Sequence, residues 1–567
     1  MNDMISPVPS DDDTNGKKEK EFKSDEGSQE VDKEVMVLPV EQGEDNKIDV
    51  HTHLYDGLQR NMEQRHLQMI ALAGTVGVGF FLGSGKAIAH GGPVGALLAY
   101  MLIGSVSYCL LMSVGEMAVY APISGGFIHL VERFFNPSVG FAMGWQTVYS
   151  GIITVPNEII SASILMSFWD DAFPVGRQAL YLTLLAICCA SVNFLGVRWF
   201  GESEFIFACI KIALIVGLIL GGLIVDLGGS PSGDRIGFRY WRNPGAFAEY
   251  HYAGNLGKFL GWSTDLLQAA FSFLGMEQIA VAAAEVKNPR VSVAKAFRRI
   301  FYRICLFYVI GIFIVGMLVP YNNPKLLQST GTAASSPFVL AFNLAGIKVL
   351  PSIINAAVLT SAFSAGSSAL YLTSRMLYGL GLRGHAPKIF AKTTKKGLPI
   401  VALMTVTLFT SLSFMQLGAG GETALNWLSN LSSLSGFINW CTLSITFLRF
   451  KAGCEAQGID RTKFHFWNRY QPWPAYWVIF WCIIVIVFNG WEVFTKGGWN
   501  TSNFIVSYIN LPIFFLLILG YWFIKRPRHL HSAELDFVSN IPTDAEVSYE
   551  EPPPKNLFYK VCNYLFT

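Results

Sequence analysis

Charged residues are scarce in this chain: they make up 14% of its 567 residues, whereas apolar residues make up 52%. Soluble domains usually carry about a quarter charged residues, so this composition argues against a soluble globular protein. The charges are concentrated in residues 1–65 and 526–567, and the middle of the chain contains long uncharged runs. The net charge of +2 and the lack of a basic stripe with interleaved aromatic residues give no indication of nucleic acid as a partner.

Patterns typical of enzymes and metal sites are missing as well. The nine cysteines show no C-x-x-C spacing, so neither a disulfide framework nor a zinc site is indicated. The run Gly83-Ser84-Gly85-Lys86 looks like part of a phosphate loop, but Ala87 follows the lysine where Ser or Thr is required. A dinucleotide fingerprint beginning at Gly77 fails because Leu82 stands in place of its last glycine. The sequence therefore predicts no enzymatic activity, no cofactor and no metal ion.

Twelve apolar segments are long enough to cross a membrane, since a hydrocarbon core of about 30 Å needs about 20 residues of helix. They lie near 67–89, 94–119, 139–168, 178–197, 203–226, 261–284, 299–320, 347–373, 398–416, 424–448, 473–492 and 503–524. An even number of spans places both termini on one side. The connections on that side carry roughly twice as many Lys and Arg residues as the opposite ones, and the positive-inside rule makes it the cytoplasm.

Two polar tails flank this membrane region. Residues 1–65 are rich in Asp, Glu, Lys and Ser, which is typical of a disordered cytoplasmic tail, and they show no cleavable signal peptide. The lysines of this N-terminal tail are ordinarily just solvated charges. Alternatively, some of them are modification sites for ubiquitin-ligase machinery that controls turnover. We therefore predict a twelve-helix transporter domain over residues 66–525 and a cytoplasmic C-terminal tail over residues 526–567.

Two of the apolar segments contain interruptions where a membrane helix should be continuous. The first has glycines at Gly74, Gly77 and Gly79, and the sixth has Gly275 two residues before Glu277. An unpaired backbone amide or carbonyl in hydrocarbon costs several kcal/mol, so a broken helix survives only where the freed groups line a cavity. Breaks at corresponding places in two halves of a chain are the sequence pattern of a secondary transporter's binding site.

The positions of the breaks, in helices 1 and 6, divide the chain into five helices, five helices and two more. A unit with an odd number of spans that is repeated must be inverted relative to its partner. We therefore predict an all-α integral membrane fold with a 5+5 inverted-repeat (LeuT-like) core, broken helices 1 and 6, and two extra helices.

Several motifs in residues 60–525 resemble those of one protein family. They are Gly91-Gly92-Pro93, Gly115-Glu116-Met117-Ala118, Phe238-Arg239-Tyr240-Trp241, Glu285-Val286-Lys287-Asn288-Pro289, Ser336-Pro337-Phe338 and Ala386-Pro387-Lys388. In this combination the chain resembles the fungal amino-acid permeases of the amino acid–polyamine–organocation superfamily. The resemblance implies twelve helices, the inverted-repeat fold and an amino-acid substrate.

The breaks offer complementary groups for the two ends of an amino acid. Amides freed at the N-terminus of a half-helix suit a carboxylate, and carbonyls freed in the sixth helix can accept from an ammonium group. The alternative is that the glycines only allow close helix packing. By resemblance, the aromatic residue after the sixth-helix break, Phe273, gates access to the substrate. The predicted substrate-binding residues are Thr75, Val76, Gly77, Val78, Gly79, Phe271, Ser272, Phe273 and Leu274.

Ionisable residues within membrane spans are expensive and are functional hypotheses by default. Lys211 lies deep in the fifth helix, and in similar transporters a lysine here helps to couple protons to transport; the alternative is a permanently bonded structural ammonium group. Glu158 in the third helix and Glu277 after the sixth-helix break are further candidates for proton coupling, with a fixed hydrogen-bond role as the alternative. Glu116 lies at a cytoplasmic helix end, where an ion pair with a loop arginine is expected.

These features predict a plasma-membrane permease that takes up amino acids by alternating access and is driven by protons. The segments expected to select side chains, at 154–157, 361–364 and 430–435, contain small and hydroxyl groups and no charge to pair with a basic or acidic side chain, which favours neutral or broad substrates. Two alternatives stay open: a receptor that senses amino acids without carrying them, and a permease for another organic cation such as a polyamine. The expected partners are the amino acid, protons and the lipid bilayer, and residence in endosomes or other internal membranes is compatible with the sequence.

Overall fold

Helix is the structure that lets an apolar segment satisfy its own backbone amides and carbonyls in hydrocarbon. The computed structural model describes residues 69, 76–121, 126–170, 174–231, 233–282, 289–327, 336–395, 397–419 and 421–539. These residues form helices joined by turns and short loops, with no strand among them. The all-α expectation therefore agrees with the structure over the described part of the chain.

Nineteen α-helices run through the described residues. In chain order they are α1 Val78–Phe81, α2 Gly83–Tyr120, α3 Gly126–Phe134, α4 Pro137–Met166, α5 Val175–Phe194, α6 Val197–Asp226, α7 Arg239–Arg242, α8 Gly254–Phe273, α9 Ile279–Ala282, α10 Pro289–Leu318, α11 Pro324–Leu327, α12 Pro337–Leu344, α13 Leu350–Leu382, α14 Ile400–Leu408, α15 Met415–Ala419, α16 Gly421–Ala456, α17 Trp473–Phe488, α18 Thr501–Tyr508 and α19 Asn510–Lys525. Short 3-10 turns connect several of them, including Met276–Gln278 and Phe409–Phe414.

Helix α2 contains a kink that divides its 38 residues. A straight helix of that length would measure about 57 Å, nearly twice the hydrocarbon thickness of about 30 Å. Gly92 interrupts it with φ 75° and ψ 176°, just before Pro93. A side chain at Gly92 would meet the amide nitrogen of Ala248 at 2.6 Å, so only glycine fits this close approach. The predicted boundary between the first two spans, at residues 90–93, coincides with this kink.

Seven helices of the described part are long and apolar enough to cross a membrane, or eight if the bent pair Thr501–Tyr508 and Asn510–Lys525 is one span. Two shorter apolar helices, Cys305–Leu318 and Trp473–Phe488, lie in segments that were predicted as spans. Large apolar side chains are exposed on α5 and α17, as expected for surfaces that face lipid. The chain is an integral membrane protein, and the number of twelve spans stays a prediction.

The long helices form two groups that together position the site. Helices α8 and α10 pack against α2, and helices α13 and α16 pack against α4. We call these the α2 group (α2, α8 and α10) and the α4 group (α4, α13 and α16). The broken sixth helix belongs to the α2 group, because α8 and the turn that follows it form the break.

Helix α3 connects α2 to α4 and carries a buried charge cluster outside the spanning helices. Nε2 of His385 lies 3.0 Å from Oε1 of Glu132, and Nη1 of Arg383 lies 3.3 Å from Oε2 of the same carboxylate. Burial by itself raises the pKa of this carboxyl, but the charge of Arg383 and the hydrogen bond from His385 outweigh it and lower the pKa to about 2. The cluster therefore ties α3 to the end of α13 through an ionised carboxylate.

Candidate functional site: two helix breaks between two cavities

The first break lies where the chain enters α1. Gly77 has an extended backbone, with φ −124° and ψ −158°, and the helix begins at Val78. The carbonyl of Val76 accepts a hydrogen bond from the Ser361 hydroxyl of α13 at 3.0 Å. Val76 and Val78 are buried, so this irregular backbone lies inside the protein as the sequence predicts. The candidate Thr75 lies outside the described residues.

The second break follows α8. Helix α8 ends at Phe273, Leu274 is extended at φ −60° and ψ 145°, and Gly275 has φ 95°. A positive φ is accessible to glycine without steric cost, which is why the chain can turn here. The carbonyl of Ser272, near the end of the helix, accepts from the Tyr308 hydroxyl at 3.1 Å. The predicted interruption of the sixth span is thus present in the structure.

The two breaks contact each other directly. A methyl group at Gly79 would lie 2.8 Å from Cδ1 of Phe271 and 3.1 Å from the Cα of Ser272. At Gly77 it would lie 2.9 Å from Oε1 of Glu158 and 3.1 Å from the methyl group of Ala365. The glycines therefore do allow close packing: Gly79 brings the first break against the end of α8 at the second break, and Gly77 brings it against α4 and α13.

A large vestibule reaches the breaks from the side that is predicted to be extracellular. It has a volume of about 780 Å³ and is lined by Val78, Gly79, Phe271 and residues of the connecting segments near 250 and 489–503. Its charged and polar lining includes Lys86, His90, Asn426 and Glu492. This volume is in the range of small-molecule sites, about 300–1,000 Å³.

A second, smaller cavity of about 70 Å³ lies beyond the breaks. Gly79 and Phe271 line both cavities, so they separate the vestibule from the inner cavity. Gly77, Leu274 and Gly275 line the inner cavity only, together with hydroxyl, amide and carboxyl side chains: Thr147, Ser150, Thr154, Glu158, Glu277, Thr373, Ser432 and Asn439. At this size the inner cavity holds a few water molecules and no free amino acid.

Phe273, which the sequence suggested as a gate, lies in a different environment from Phe271. Its side chain is completely buried and packs against the rings of Tyr308 and Tyr100, at 5.0 Å and 6.2 Å between centroids. It is not among the residues that line either cavity. Successive positions on a helix face different directions. Phe271 and Phe273 are two positions apart, so the ring of Phe271 faces the cavities while that of Phe273 faces the packed core.

The ionisable candidates of the third and fifth spans form a buried cluster. Lys211 on α6 is fully buried and is attracted electrostatically to Glu158 on α4 and to Glu204 on its own helix. Glu204 accepts a hydrogen bond from the Ser364 hydroxyl of α13 at 2.6 Å. Because Glu158 also touches Gly77, the cluster extends from the fifth span to the first break.

Glu204 is a residue that the sequence reasoning missed. It lies seven positions before Lys211, and residues separated by two helical turns share a face. That spacing was a usable signal, since a second ionisable residue in an apolar helix needs a partner. Glu277, the third predicted coupling residue, lines the inner cavity and is 4% exposed.

A ladder of polar side chains joins α4 to α16 beside the cavities. Gln146 donates to Ser435 at 2.8 Å, and Asn157 donates to Ser429 at 3.2 Å. Between them the hydroxyls of Thr154 and Ser432 lie 2.8 Å apart. The ladder includes residues of two segments that were predicted to select substrate side chains, the one near Thr154 and the one at 430–435. Among the described residues there is no group of three or more His, Cys, Asp and Glu side chains that could hold a metal ion.

Comparison with known proteins supports the same conclusion as this geometry. The family model described as "Amino acid permease" matches residues 66–533. The chain is 38% identical to the dicarboxylic amino acid permease of Saccharomyces cerevisiae over 84% of its own length and 79% of that protein. It is also 38% identical to the proline-specific permease of Emericella nidulans, over 92% and 95% of the two chains.

A further relative is the lysine-specific permease of Saccharomyces cerevisiae, which is 35% identical over 89% of this chain and 82% of its own. These relatives are named permeases, so the prediction of a transporter and not an enzyme is confirmed. The chain belongs to the amino acid permease family.

Proposed function

We propose that this protein is a plasma-membrane amino-acid permease that works by alternating access and is coupled to protons. The observation that carries the proposal is the contact of the two helix breaks, through Gly79 and Phe271, between a wide vestibule and a small inner cavity. With both termini in the cytoplasm and twelve spans, the vestibule faces outward. The molecule then has the geometry of a carrier that is ready to receive its substrate from outside.

In this proposal the amino acid binds with its ends at the two breaks. The start of α1, which continues through Leu82 into α2, presents amides and the positive end of a helix dipole to the carboxylate. The end of α8 presents carbonyls to the ammonium group. Backbone dipoles thus contact both charged groups of the zwitterion. Such a site needs no charged side chain of the protein and tolerates many substrate side chains.

Phe271 is the proposed gate, in place of Phe273. Its ring lines both cavities and is half-buried, so a change of rotamer would connect them. Substrate that has passed this ring would reach a space lined by Thr154, Ser432 and Asn439. Apart from Glu158 and Glu277, the polar side chains that line this space are hydroxyl and amide groups, and no Lys or Arg is among its described lining residues. We therefore propose neutral amino acids, in a broad range, as substrates.

Lys211, Glu158 and Glu204 are proposed to carry the coupling. The cluster holds two carboxyl groups for one ammonium group, and Glu158 touches the first break at Gly77. A proton that binds or leaves here changes the charge beside the backbone that holds the substrate. One charge moving through 100 mV gains about 2.3 kcal/mol, which corresponds to roughly fiftyfold accumulation.

The test is uptake of labelled amino acids by the purified protein in proteoliposomes. An inward proton gradient should increase the accumulation, a protonophore should remove the increase, and Glu158→Gln should make uptake indifferent to both. Saturable uptake by the unmodified protein that ignores the gradient would exclude the proton-coupled mechanism. No saturable uptake of any of the twenty amino acids would exclude the carrier itself. A competition panel of all twenty against one labelled substrate would define the substrate range.

A further inference from the structure

The chain continues past α19 into a segment that folds back onto the helices. Residues 528–539 follow the end of α19 at Lys525 and contain two buried apolar side chains, Leu535 at 3% and Phe537 at 5% exposure. Asp536 between them is half-buried, and Val538, which follows them, is 84% exposed. A polar tail has no reason to bury alternate side chains unless it occupies a defined surface. We call residues 528–539 the C-terminal segment.

Aromatic rings from separate elements surround Phe537. The ring of Phe537 lies 5.2 Å from that of Phe134 on α3, 5.4 Å from Phe450 on α16 and 5.8 Å from Tyr120 at the end of α2, between centroids. The Tyr120 hydroxyl also donates to the carbonyl of Phe537 at 2.8 Å. Tilted and edge-on ring pairs at these distances add to the stability gained by burying the rings.

Polar contacts also fix the segment at α3 and at the end of α16. Nη2 of Arg133 on α3 lies 3.2 Å from Oδ1 of Asp536, and Nε of Arg133 donates to the backbone carbonyl of Asp536 at 2.6 Å. Nε2 of Gln457, just after α16, donates to the carbonyl of Leu535 at 2.7 Å. On α16 itself, a methyl group at Gly453 would lie 2.7 Å from Cδ1 of Leu535 and 2.9 Å from Cε2 of Phe537. The segment therefore fits against α16 without a gap.

The elements joined in this way belong to both helix groups. Tyr120 ends α2, and Phe450 lies near the end of α16, whereas α3 connects the groups. Tyr120 follows the kink at Gly92 by 28 residues, about 42 Å along a helix, so this surface lies at the opposite end of the protein from the vestibule. The predicted ion pair of Glu116 with a loop arginine is present here, with Nε of Arg461 at 2.6 Å, and it adds a second tie.

We propose that the C-terminal segment is a latch. It holds the cytoplasmic ends of the α2 group and the α4 group together while the vestibule is open, and it must leave the surface around Phe537 before the inner cavity can open to the cytoplasm. The proposal rests on alternating access as the proposed function. Alternating access requires the α2 group and the α4 group to separate on one side of the membrane at a time. On the cytoplasmic side the C-terminal segment contacts both groups, so it lies across the boundary along which they would separate.

The experiment is hydrogen–deuterium exchange of the full-length protein in lipid nanodiscs. Phe537→Ala removes the central ring of the interface, and Gly453→Ala places a methyl group against the segment from the opposite side. The matched controls are Val538→Ala, next to Phe537 but exposed, and Gly520→Ala, at a glycine with nothing within 4 Å. Two readouts are compared: exchange in residues 528–539 and exchange in residues 365–373, which line the inner cavity.

Both interface variants should raise exchange about tenfold in the C-terminal segment and also in residues 365–373, a factor that corresponds to about 1.4 kcal/mol. Both controls should match the unmodified protein. If exchange rises only within 528–539, the segment is passive packing and the latch is refuted; the same holds if Gly453→Ala behaves like Gly520→Ala. Should Phe537→Ala fail to fold, Gly453→Ala decides by the same criteria. Because no substrate is needed, the result is independent of whether the uptake experiments support the proposed function.

Discussion

Adding one methyl group where the two breaks meet, by Gly79→Ala, should impair both the stability and the function of the permease. The added carbon would lie 2.8 Å from Cδ1 of Phe271 and 3.1 Å from the Cα of Ser272. The ring of Phe271 can rotate away, but Ser272 belongs to the backbone at the end of α8, which is held by the Tyr308 hydroxyl. The clash therefore has to move the second break away from the first.

The size of the effect follows from two opposing contributions. Inserting a methyl group into a well-packed interior costs about 1–3 kcal/mol. Replacing glycine by alanine within a helix gains roughly 0.5–1 kcal/mol. Gly217→Ala in α6 is the matched control, because nothing lies within 4 Å of a carbon added there and only the gain applies. The difference between the two variants removes the shared gain, so Gly79→Ala should be less stable than Gly217→Ala by about 1–3 kcal/mol.

The assay combines thermal unfolding in detergent with uptake in proteoliposomes. Gly217→Ala should keep the uptake of the unmodified protein, whereas Gly79→Ala should lose most of it even at temperatures where it is folded. The loss is expected because the clash lies between the groups that are proposed to hold the substrate. Equal stability and equal uptake of the two glycine variants would show that the breaks are not in contact, and the proposed site would have to be placed elsewhere.

Three further predictions concern the proposed gate at Phe271, the buried cluster around Lys211 and the charge cluster on α3. Phe271→Ala should join the two cavities and raise uptake of tryptophan relative to alanine several-fold; an unchanged ratio in a competition assay would contradict its role as the gate. Lys211→Ala leaves buried carboxyl groups without the ammonium group that faces them. Breaking such a pair costs about 3–5 kcal/mol, so the unfolding temperature of this variant at pH 7 should be markedly lower than that of the unmodified protein. Arg383 and His385 lower the pKa of Glu132 from the ordinary 4.5 to about 2 despite its burial. Its ionised form therefore stabilises the fold above about pH 4.5, and this contribution is lost as the pH falls toward 2. Glu132→Gln should therefore be less stable than the unmodified protein at pH 7 and should show a flatter dependence of unfolding temperature on pH between 5 and 3.

Much of the architecture could be predicted because the membrane restricts what an apolar segment can do. Each of the twelve predicted segments contains helix in the described residues, and the interruption predicted near Gly275 is present at Leu274 and Gly275. The backbone at Gly77 is extended as expected. These successes have one cause: glycine within an apolar run leaves few alternatives to an interruption that is buried in protein. Helix α18 shows the limit, because hydropathy does not reveal the bend of 47° between α18 and α19.

The side chains at the site were harder to predict, because their roles depend on which face of a helix they occupy. Phe271 and Phe273 have the same chemistry and differ by two positions, yet one lines both cavities and the other is packed against Tyr308. Glu204 was overlooked because its partners, Lys211 and Ser364, lie one on the same helix and one far away in sequence.

The sequence by itself determined that this chain is helical, crosses the membrane and has non-helical backbone at Gly77 and Gly275, since hydrocarbon leaves backbone groups few other solutions. Only the tertiary structure decided that the breaks touch, that Phe271 lies between the cavities and that the C-terminal segment joins α2 to α16. Those facts depend on packing between residues hundreds of positions apart, where shape and not hydropathy selects the partner.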